Sequence, residues 1–151
     1  MTVTSDEVER LVHEKVNRIR TENGLQTLSH SGAIRSVSRA HSEDMAARDY
    51  FSHQNPEGEG PWDRYEGAVD DSACSAYGEN IAMNWVDQYV QSDDGTDRYR
   101  TNDQVAQAIV DQWMNSDGHR RNILSDYWSS EGVGVWITDD GQVYATQDFC
   151  G

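Results

Sequence analysis

Apolar residues recur at helical spacing in three stretches of the chain. The first stretch follows Thr4 and Glu7, whose spacing is the signature of a capping box, and it stops before Gly24. The second begins near Ser31, and the third follows a further capping box that Thr101 opens. The apolar positions are, in order, Val8, Leu11, Val12, Val16 and Ile19; Ile34, Val37, His41 and Met45; and Val105, Ala108, Ile109 and Trp113. The pattern therefore predicts three amphipathic helices.

The remaining segments predict turns and strands. YFSHQNPEGEGPWDRYEG (50–67) contains both prolines, and it predicts a turn-rich crossing rather than a helix. QSDDGTDRYR (91–100) predicts an acidic loop, because it lacks the residue spacing of a calcium-binding loop. YGENIAMNW (77–85) predicts a short strand, and EGVGVWITDDGQVYATQDF (131–149) predicts a β-hairpin turning at Asp-Gly. Helices gather early and strands come late, so the predicted fold class is α+β.

The chain is strongly acidic. Its 27 Asp and Glu residues against 12 Lys and Arg give a net charge of −15, and Lys15 is its single lysine. Nucleic acids and anionic membranes bind basic patches, so neither is expected as a partner. The acidic residues are spread along the chain, which favours a surface adapted to high salt, as in a halophile, over a patch for a cationic partner.

Length and cysteine content suggest one exported domain. The 151 residues fit a single domain, residues 1–151, and no apolar run is long enough to span a membrane. No segment resembles a secretory signal, so an exported protein would have lost its signal. Cys74 and Cys150 show no metal-ligand spacing. We expect them to form a disulfide, the alternative being two buried thiols, and a disulfide implies an oxidising compartment outside the cytoplasm.

Two of the five histidines stand where regular structure gives way to turn residues: His53 in YFSHQNP and His119 in NSDGHRR. His13 and His30 are expected at the surface, and His41 in the core on the apolar face of the second helix. Glu79, in the segment GEN, is poorly explained by packing. Its carboxylate can orient an imidazole or balance the charge of an imidazolium. Spacing alone does not show that these residues meet.

Five segments occur in an order that resembles the CAP superfamily, which includes cysteine-rich secretory proteins, antigen 5 and plant pathogenesis-related 1 proteins. They are MAARDYFSHQNPEG, YGENIA, WMNSDGHRRNIL, EGVGV and VYATQDF. The resemblance runs from about Val8 to Phe149 and is closest to the secreted prokaryotic branch. It implies a three-layer α-β-α sandwich with a small antiparallel sheet and a central cleft. It also implies an extracellular or cell-surface location.

The resemblance also implies a site. The better-known eukaryotic members carry two His and two Glu in the cleft. His53 and His119 match the histidines and Glu79 matches one glutamate, whereas Ser116 stands at the position of the other. Gly118 is expected to end its helix and to turn His119 into the cleft opposite His53. The alternative is that His119 caps the last carbonyls of its own helix.

Three functions are compatible with such a cleft. The preferred one is an extracellular module that binds a small ligand or a divalent metal such as Zn²⁺ through His53 and His119, with Glu79 as a third ligand or as a group that orients a ligand. The second is a hydrolase. In it, Glu79 would act as the base for a metal-bound water, or Ser116 would act as a nucleophile with His119 as its base. The chain has no HExxH helix, which argues against an ordinary zinc peptidase.

The third is an interaction domain in which the cleft is a relic. Its partner would be an extracellular protein or an envelope component, and the chain itself would be a monomer. Tryptophans could supply the contact face, and the candidates are Trp62, Trp85 and Trp128.

Overall fold

The computed structural model describes residues 2–69, 74–92 and 95–151. Its helices are α1 (Ser5–Glu22), α2 (Gly32–Arg48), α3 (Pro61–Ala68), α4 (Asn102–Met114) and α5 (Asp117–Ile123). Its strands are β1 (Ser29–His30), β2 (Tyr77–Trp85), β3 (Tyr89–Ser92), β4 (Gly95–Arg98), β5 (Ser130–Ile137) and β6 (Gln142–Cys150). The three predicted helices are confirmed as α1, α2 and α4, and the predicted hairpin is β5–β6.

Two of these three helices have the N-terminal caps that the sequence indicates. Ser31 caps α2, and Thr101 with Gln104 forms the full reciprocal box at α4. At α1 the predicted box is only half formed. Thr4 accepts from the backbone N–H of Glu7, but the Glu7 carboxylate pairs with a neighbouring arginine instead of returning to the cap.

The four-stranded sheet has the order β1-β5-β6-β2. β6 pairs antiparallel with β5 and, along its full length, with β2, so that Glu79 lies directly opposite Asp148. β1 runs parallel to β5 and brings His30 beside Glu131. The expected small antiparallel sheet is formed by β2, β5 and β6, and the chain that enters α2 adds a short parallel edge.

Helices cover both faces of the sheet, which confirms the α-β-α sandwich. On one face, α2 lies so close to β5 that a Cβ added at Gly132 or Gly134 would overlap the α2 backbone. On the other face, α1, α4 and α5 pack against the sheet through a continuous apolar core. Its largest members include Val12, Ile109, Trp113, Ile123, Val133 and Phe149.

Two segments differ from their predictions. Residues 61–68 form helix α3, where a turn-rich crossing was expected. Pro61 occupies the first helical turn, where its fixed φ and missing N–H are tolerated, and the Asp63 carboxylate accepts from the Gly60 N–H at 3.0 Å. The expected loop at 91–100 contains β4 and part of β3, which pair antiparallel as a two-stranded ribbon. The segment 91–100 is mostly polar, but the pairing of two strands needs only backbone N–H and C=O groups.

Cys74 and Cys150 form the predicted disulfide, with a Cα–Cα distance of 5.2 Å. The bridge ties the last residue of β6 to the segment that leads into β2, across 76 residues. On the loop-entropy model a closure of this length contributes about 4 kcal/mol to stability. It also fixes the end of the sheet that carries Glu79.

β2 forms the outer edge of the sheet, and side chains from the helices cover its backbone. The carbonyl of Ile81 accepts from Trp113 Nε1 at 3.0 Å, and that of Met83 accepts from Gln112. The Glu79 carbonyl accepts a longer bond from Asn122. Three successive outward carbonyls of β2 are thus paired with α4 and α5.

Candidate functional site

His53 and Glu79 are brought together at one end of the sheet. His53 lies in the loop after α2 and its side chain is about half exposed, whereas Glu79 points from β2 towards α2 and α3 with its side chain 1% exposed. The two groups meet through His53 Nδ1 and Glu79 Oε1 at 2.9 Å. A buried carboxylate thus fixes the orientation of an accessible imidazole, as the sequence proposed for Glu79.

Arg64 is a member of the site that sequence reasoning missed. It lies on α3, and its Nη2 donates both to Glu79 Oε1 at 2.9 Å and to the His53 carbonyl at 2.8 Å. Arg64 was missed because helix α3 was missed. A turn-rich segment has no helix face on which to place a side chain. A Gly-Pro start followed by Asp63 was the available signal for that helix.

Asp148 also meets Glu79, from the neighbouring strand β6. Ser38 Oγ of α2 lies 2.7 Å from Asp148 Oδ2, and the Asp148 side chain is wholly buried. Burial alone would raise the pKa of Glu79, but hydrogen bonds from His53, Asp148 and Arg64 lower it. Burial raises the pKa of Asp148 well above its usual range, and the charge of Glu79 raises it further.

His119 reaches the site from α5, in a way that differs from the prediction. α4 ends at Met114, and Ser116 starts a new helix with extended backbone, so Gly118 lies inside α5 and does not terminate a helix. His119 Nδ1 lies 2.8 Å from Ser116 Oγ. The alternative, that His119 caps the last carbonyls of α4, is also wrong, because its side chain bonds at the start of α5.

Burial and His53 both act on the His119 ring. Burial lowers the pKa of His119, and the charge of His53 lowers it further. Both effects favour the neutral imidazole at His119, which is the form that binds a metal. Nδ1 of each ring already meets a protein group, which leaves Nε2 of each ring for a ligand.

Asn80 holds the backbone that carries His119. It is fully buried and points to the sheet face opposite Glu79. Asn80 Nδ2 donates to the His119 carbonyl at 3.2 Å and to Gln147 Oε1 at 3.0 Å, while its Oδ1 accepts from Asn122 at 2.9 Å. Adjacent residues of β2 therefore hold the two histidines from opposite faces of the sheet.

Few metal-binding side chains are available around Glu79 among the described residues. Across residues 2–69, 74–92 and 95–151, no three His, Cys, Asp or Glu side chains are arranged to hold a metal ion. Glu79 Oε1 is shared by His53 and Arg64, and its other oxygen faces Asp148. Two imidazoles are the donors that remain.

The other histidines have distinct environments. His41 is buried, and its Nε2 lies 2.9 Å from the Ser52 carbonyl, which confirms the expected core position. His30 is exposed as expected, although it belongs to β1. His13 was expected at the surface, but its Nδ1 lies 2.5 Å from the fully buried Glu131 carboxylate and its side chain is 19% exposed. That expectation was wrong because the polar core of the sheet extends to α1.

The three candidate tryptophans are not equivalent. Trp62 is the exposed one, at 38%. Trp128 stacks on Phe149 with ring centroids 5.4 Å apart, and its Nε1 donates to the Asn122 carbonyl. Trp85 is partly buried at the end of β2.

The chain folds as an α-β-α sandwich, and comparison with known families identifies the class of protein to which it belongs. Residues 13–149 match the CAP family, described as the cysteine-rich secretory protein family, and the chain belongs to that family. Within the described ranges, no helix is long and apolar enough to cross a membrane.

The chain spans less than half the length of the curated relatives that it matches. An uncharacterized membrane protein of Bacillus subtilis, YlbC, is 34% identical over 93% of the chain, which spans only 34% of that protein. The crystal structure of an extracellular SCP-domain protein from Bacillus anthracis is 28% identical with a TM-score of 0.74, covering 97% of this chain and 41% of that one. The crystal structure of NaASP2 with Zn²⁺ has a TM-score of 0.62 at 14% identity, covering 96% and 80%.

Proposed function

We propose that the chain is an extracellular CAP module whose cleft binds a divalent cation, Zn²⁺ or an ion of similar preference, through Nε2 of His53 and His119. The observation that carries this proposal is the occupation of Nδ1 in both rings. A histidine that ligates a metal commonly donates its other N–H to a carboxylate, and His53 does so to Glu79. Two neutral imidazoles suit Zn²⁺, which would complete its coordination from water or from a bound partner.

Glu79 takes the orienting role in this proposal rather than that of a third ligand. Its Oε1 already accepts from His53 and Arg64, and its Oε2 is buried beside Asp148. A direct bond from Oε1 to the ion would cost Glu79 one of these contacts, and Oε2 is shut off from solvent. Instead, it fixes the tautomer of His53 and balances the positive charge that Arg64 brings into the site.

The presence of Zn²⁺ in the crystal structure of NaASP2 supports a cation as ligand, since that protein shares the fold. The hydrolase alternative has less support. Glu79 contacts His53 and not His119, so the pair of Ser116 and His119 lacks a carboxylate to orient its base. Ser116 acts instead as the residue that precedes α5.

We also infer that the chain works outside the cell, as a monomer that meets a protein or envelope partner. Its disulfide suits an oxidising compartment, and a similar Bacillus anthracis protein is extracellular. The net charge of −15 further suits an environment of high salt.

Calorimetric titration of the metal-stripped protein with ZnCl₂ tests the cleft. We expect micromolar or tighter binding with one ion per chain, lost in His53→Ala and in His119→Ala. His30→Ala is the matched control, since it removes an exposed imidazole outside the cleft. Equal binding by all four proteins would reject the assignment of the two histidines, and no binding by the wild type would reject a cation as the ligand.

A further inference from the structure

Glu79 and Asp148 form a pair of buried carboxyl groups. They lie directly opposite each other on β2 and β6 and on the same face of the sheet. Both side chains are shut off from solvent. Two ionised carboxylates at such a position would repel each other strongly, because the surroundings screen poorly.

One oxygen of each group lacks an ordinary donor. Glu79 Oε1 accepts from His53 and Arg64, and Asp148 Oδ2 faces the Ser38 hydroxyl. No donor among the described residues reaches Glu79 Oε2 or Asp148 Oδ1. A buried acceptor left without a donor costs about 1–3 kcal/mol. A single proton held between the two groups would satisfy both oxygens at once.

The surroundings decide which group holds that proton. Glu79 has the positive charge of Arg64 at 2.9 Å and a second donor in His53, so its ionised form is stabilised. Among the described residues, the donor that reaches Asp148 is the neutral Ser38 hydroxyl. The ionised form therefore belongs on Glu79 and the neutral form on Asp148.

We propose that Asp148 is a positioning residue: its carboxyl group stays protonated in the folded protein and donates a hydrogen bond to Glu79. The bond holds the Glu79 carboxylate in the orientation that fixes the His53 ring. The effect of this hydrogen bond on cation binding rests on the function proposed above. The protonation of Asp148 does not depend on that function.

The groups that face Asp148 are few and can be named for each neighbouring element. Glu79 and Tyr77 lie on β2, Arg64 on α3 and Ser38 on α2. Tyr77 is neutral at pH 7, since burial raises its pKa and the negative charge of Glu79 adds to the rise. Burial raises the pKa of Asp148 and the Glu79 charge adds to the rise, against the smaller opposing effects of Ser38 and Arg64.

The proton can be observed directly by ¹³C NMR of aspartate side-chain carboxyl carbons in the metal-free wild type. Asp148→Asn assigns the resonance by its loss. We expect the Asp148 signal to keep the position of a protonated acid at pH 7, where the exposed aspartates are ionised. An Asp148 signal that titrates together with those aspartates would overturn the proposal.

The pH dependence of folding gives an independent test. The unfolded chain releases the Asp148 proton above about pH 4, while the folded protein keeps it, so rising pH disfavours the folded wild type. Asp148→Asn keeps a neutral donor and removes this effect. We expect its folding constant to rise relative to wild type by up to tenfold per pH unit above that point. Parallel curves for the two proteins would contradict the proposal.

Asp44→Asn is the matched control, because hydrogen bonds from Arg48 lower the pKa of Asp44. Its folded state favours the ionised form, so Asp44→Asn should lose stability relative to wild type as pH rises towards about 4 and should run parallel to wild type above that point. In ZnCl₂ titration, Asp148→Asn should retain the wild-type affinity within a few-fold. Asp148→Ala leaves Glu79 without its donor, so its affinity for Zn²⁺ should be about tenfold weaker. Equal affinities in Asp148→Ala and wild type would remove the positioning role, while a wild type that binds no ion would reject the cleft function and leave the proton established by NMR.

Discussion

Hydrogen-bonding side chains, rather than apolar contacts, position the cleft residues. Glu79 and Asn80 are adjacent on β2 and point to opposite sheet faces, as strand geometry requires. One contacts His53 directly, and the other bonds the backbone of His119. A single strand thus sets the separation of two histidines that lie far apart in the sequence.

Replacing Asn80 by Asp tests this role. The change removes the Nδ2 donor and places an oxygen near the carbonyl of His119 and Oε1 of Gln147. We expect α5 to shift and the ZnCl₂ affinity to fall about tenfold, which is the usual scale for a group that orients a metal ligand. Calorimetric titration below the unfolding temperature measures this affinity.

Asn84→Asp is the control for that experiment. Asn84 is also buried on β2, but its side-chain oxygen caps the N–H of Trp85 and does not touch α5. It should lose stability without losing affinity. If both variants bind Zn²⁺ as tightly as the wild type, Asn80 has a purely structural role.

Glycines set the contact between α2 and β5. Gly134 lies where any Cβ would overlap the backbone of Arg39, so the helix can approach the sheet only at a residue without a side chain. Two arginines of α2 face α1 here, and Arg39 pairs with the buried carboxylate of Glu9. The close approach therefore also brings these charges together.

Gly134→Ala should cost about 3 kcal/mol, because the added methyl must push a helix backbone away from the sheet. Gly67→Ala is the matched control, since a Cβ there meets nothing and alanine favours a helix. Urea unfolding should show the control unchanged or stabilised by up to about 1 kcal/mol. A Gly134→Ala protein as stable as the wild type would mean that the layers are not fixed at this point.

Sequence periodicity predicted the helices whose burial is one-sided, and two β-rich runs around an Asp-Gly pair predicted the hairpin. α1, α2 and α4 carry apolar stripes, and β5–β6 are joined through Gly141 at a φ of 89°, which a glycine adopts without strain. Helix α3 escaped prediction because it is short and buries only Tyr65, so it has no stripe to detect. Its start depends on a capping interaction, and such local bonds do not appear in hydropathy.

Three residues of the candidate site were proposed from the sequence, but their bonds and two further residues were not. His53, Glu79 and His119 were found through resemblance, whereas Arg64 and Asp148 were not. Asp148 lies in a continuous buried run of β6, where a carboxylate gives no signal of its own. Only the strand register, which sequence does not specify, places it opposite Glu79.

The whole molecule carries a net charge of −15, and this has a measurable consequence. Repulsion among like charges destabilises the compact state, and salt screens it, with a Debye length near 3 Å at about 1 M. We expect the melting temperature to rise from low to molar KCl. A flat or falling melting temperature would show that local ion pairs, such as those of Arg35 and Arg39 with Asp6, already balance the charge.

The paired carbonyls of β2 determine how this molecule can associate. A sheet edge with free backbone groups recruits strands from other chains, which leads to added strands, swapped segments or fibrils. Here one edge is occupied by side chains of Trp113, Gln112 and Asn122, and the opposite edge is a strand of only two residues. The β2 edge is thus poorly suited to the addition of strands. Contacts of another protein at this edge would therefore have to use side chains and loops, such as those around Glu79 at the end of β2.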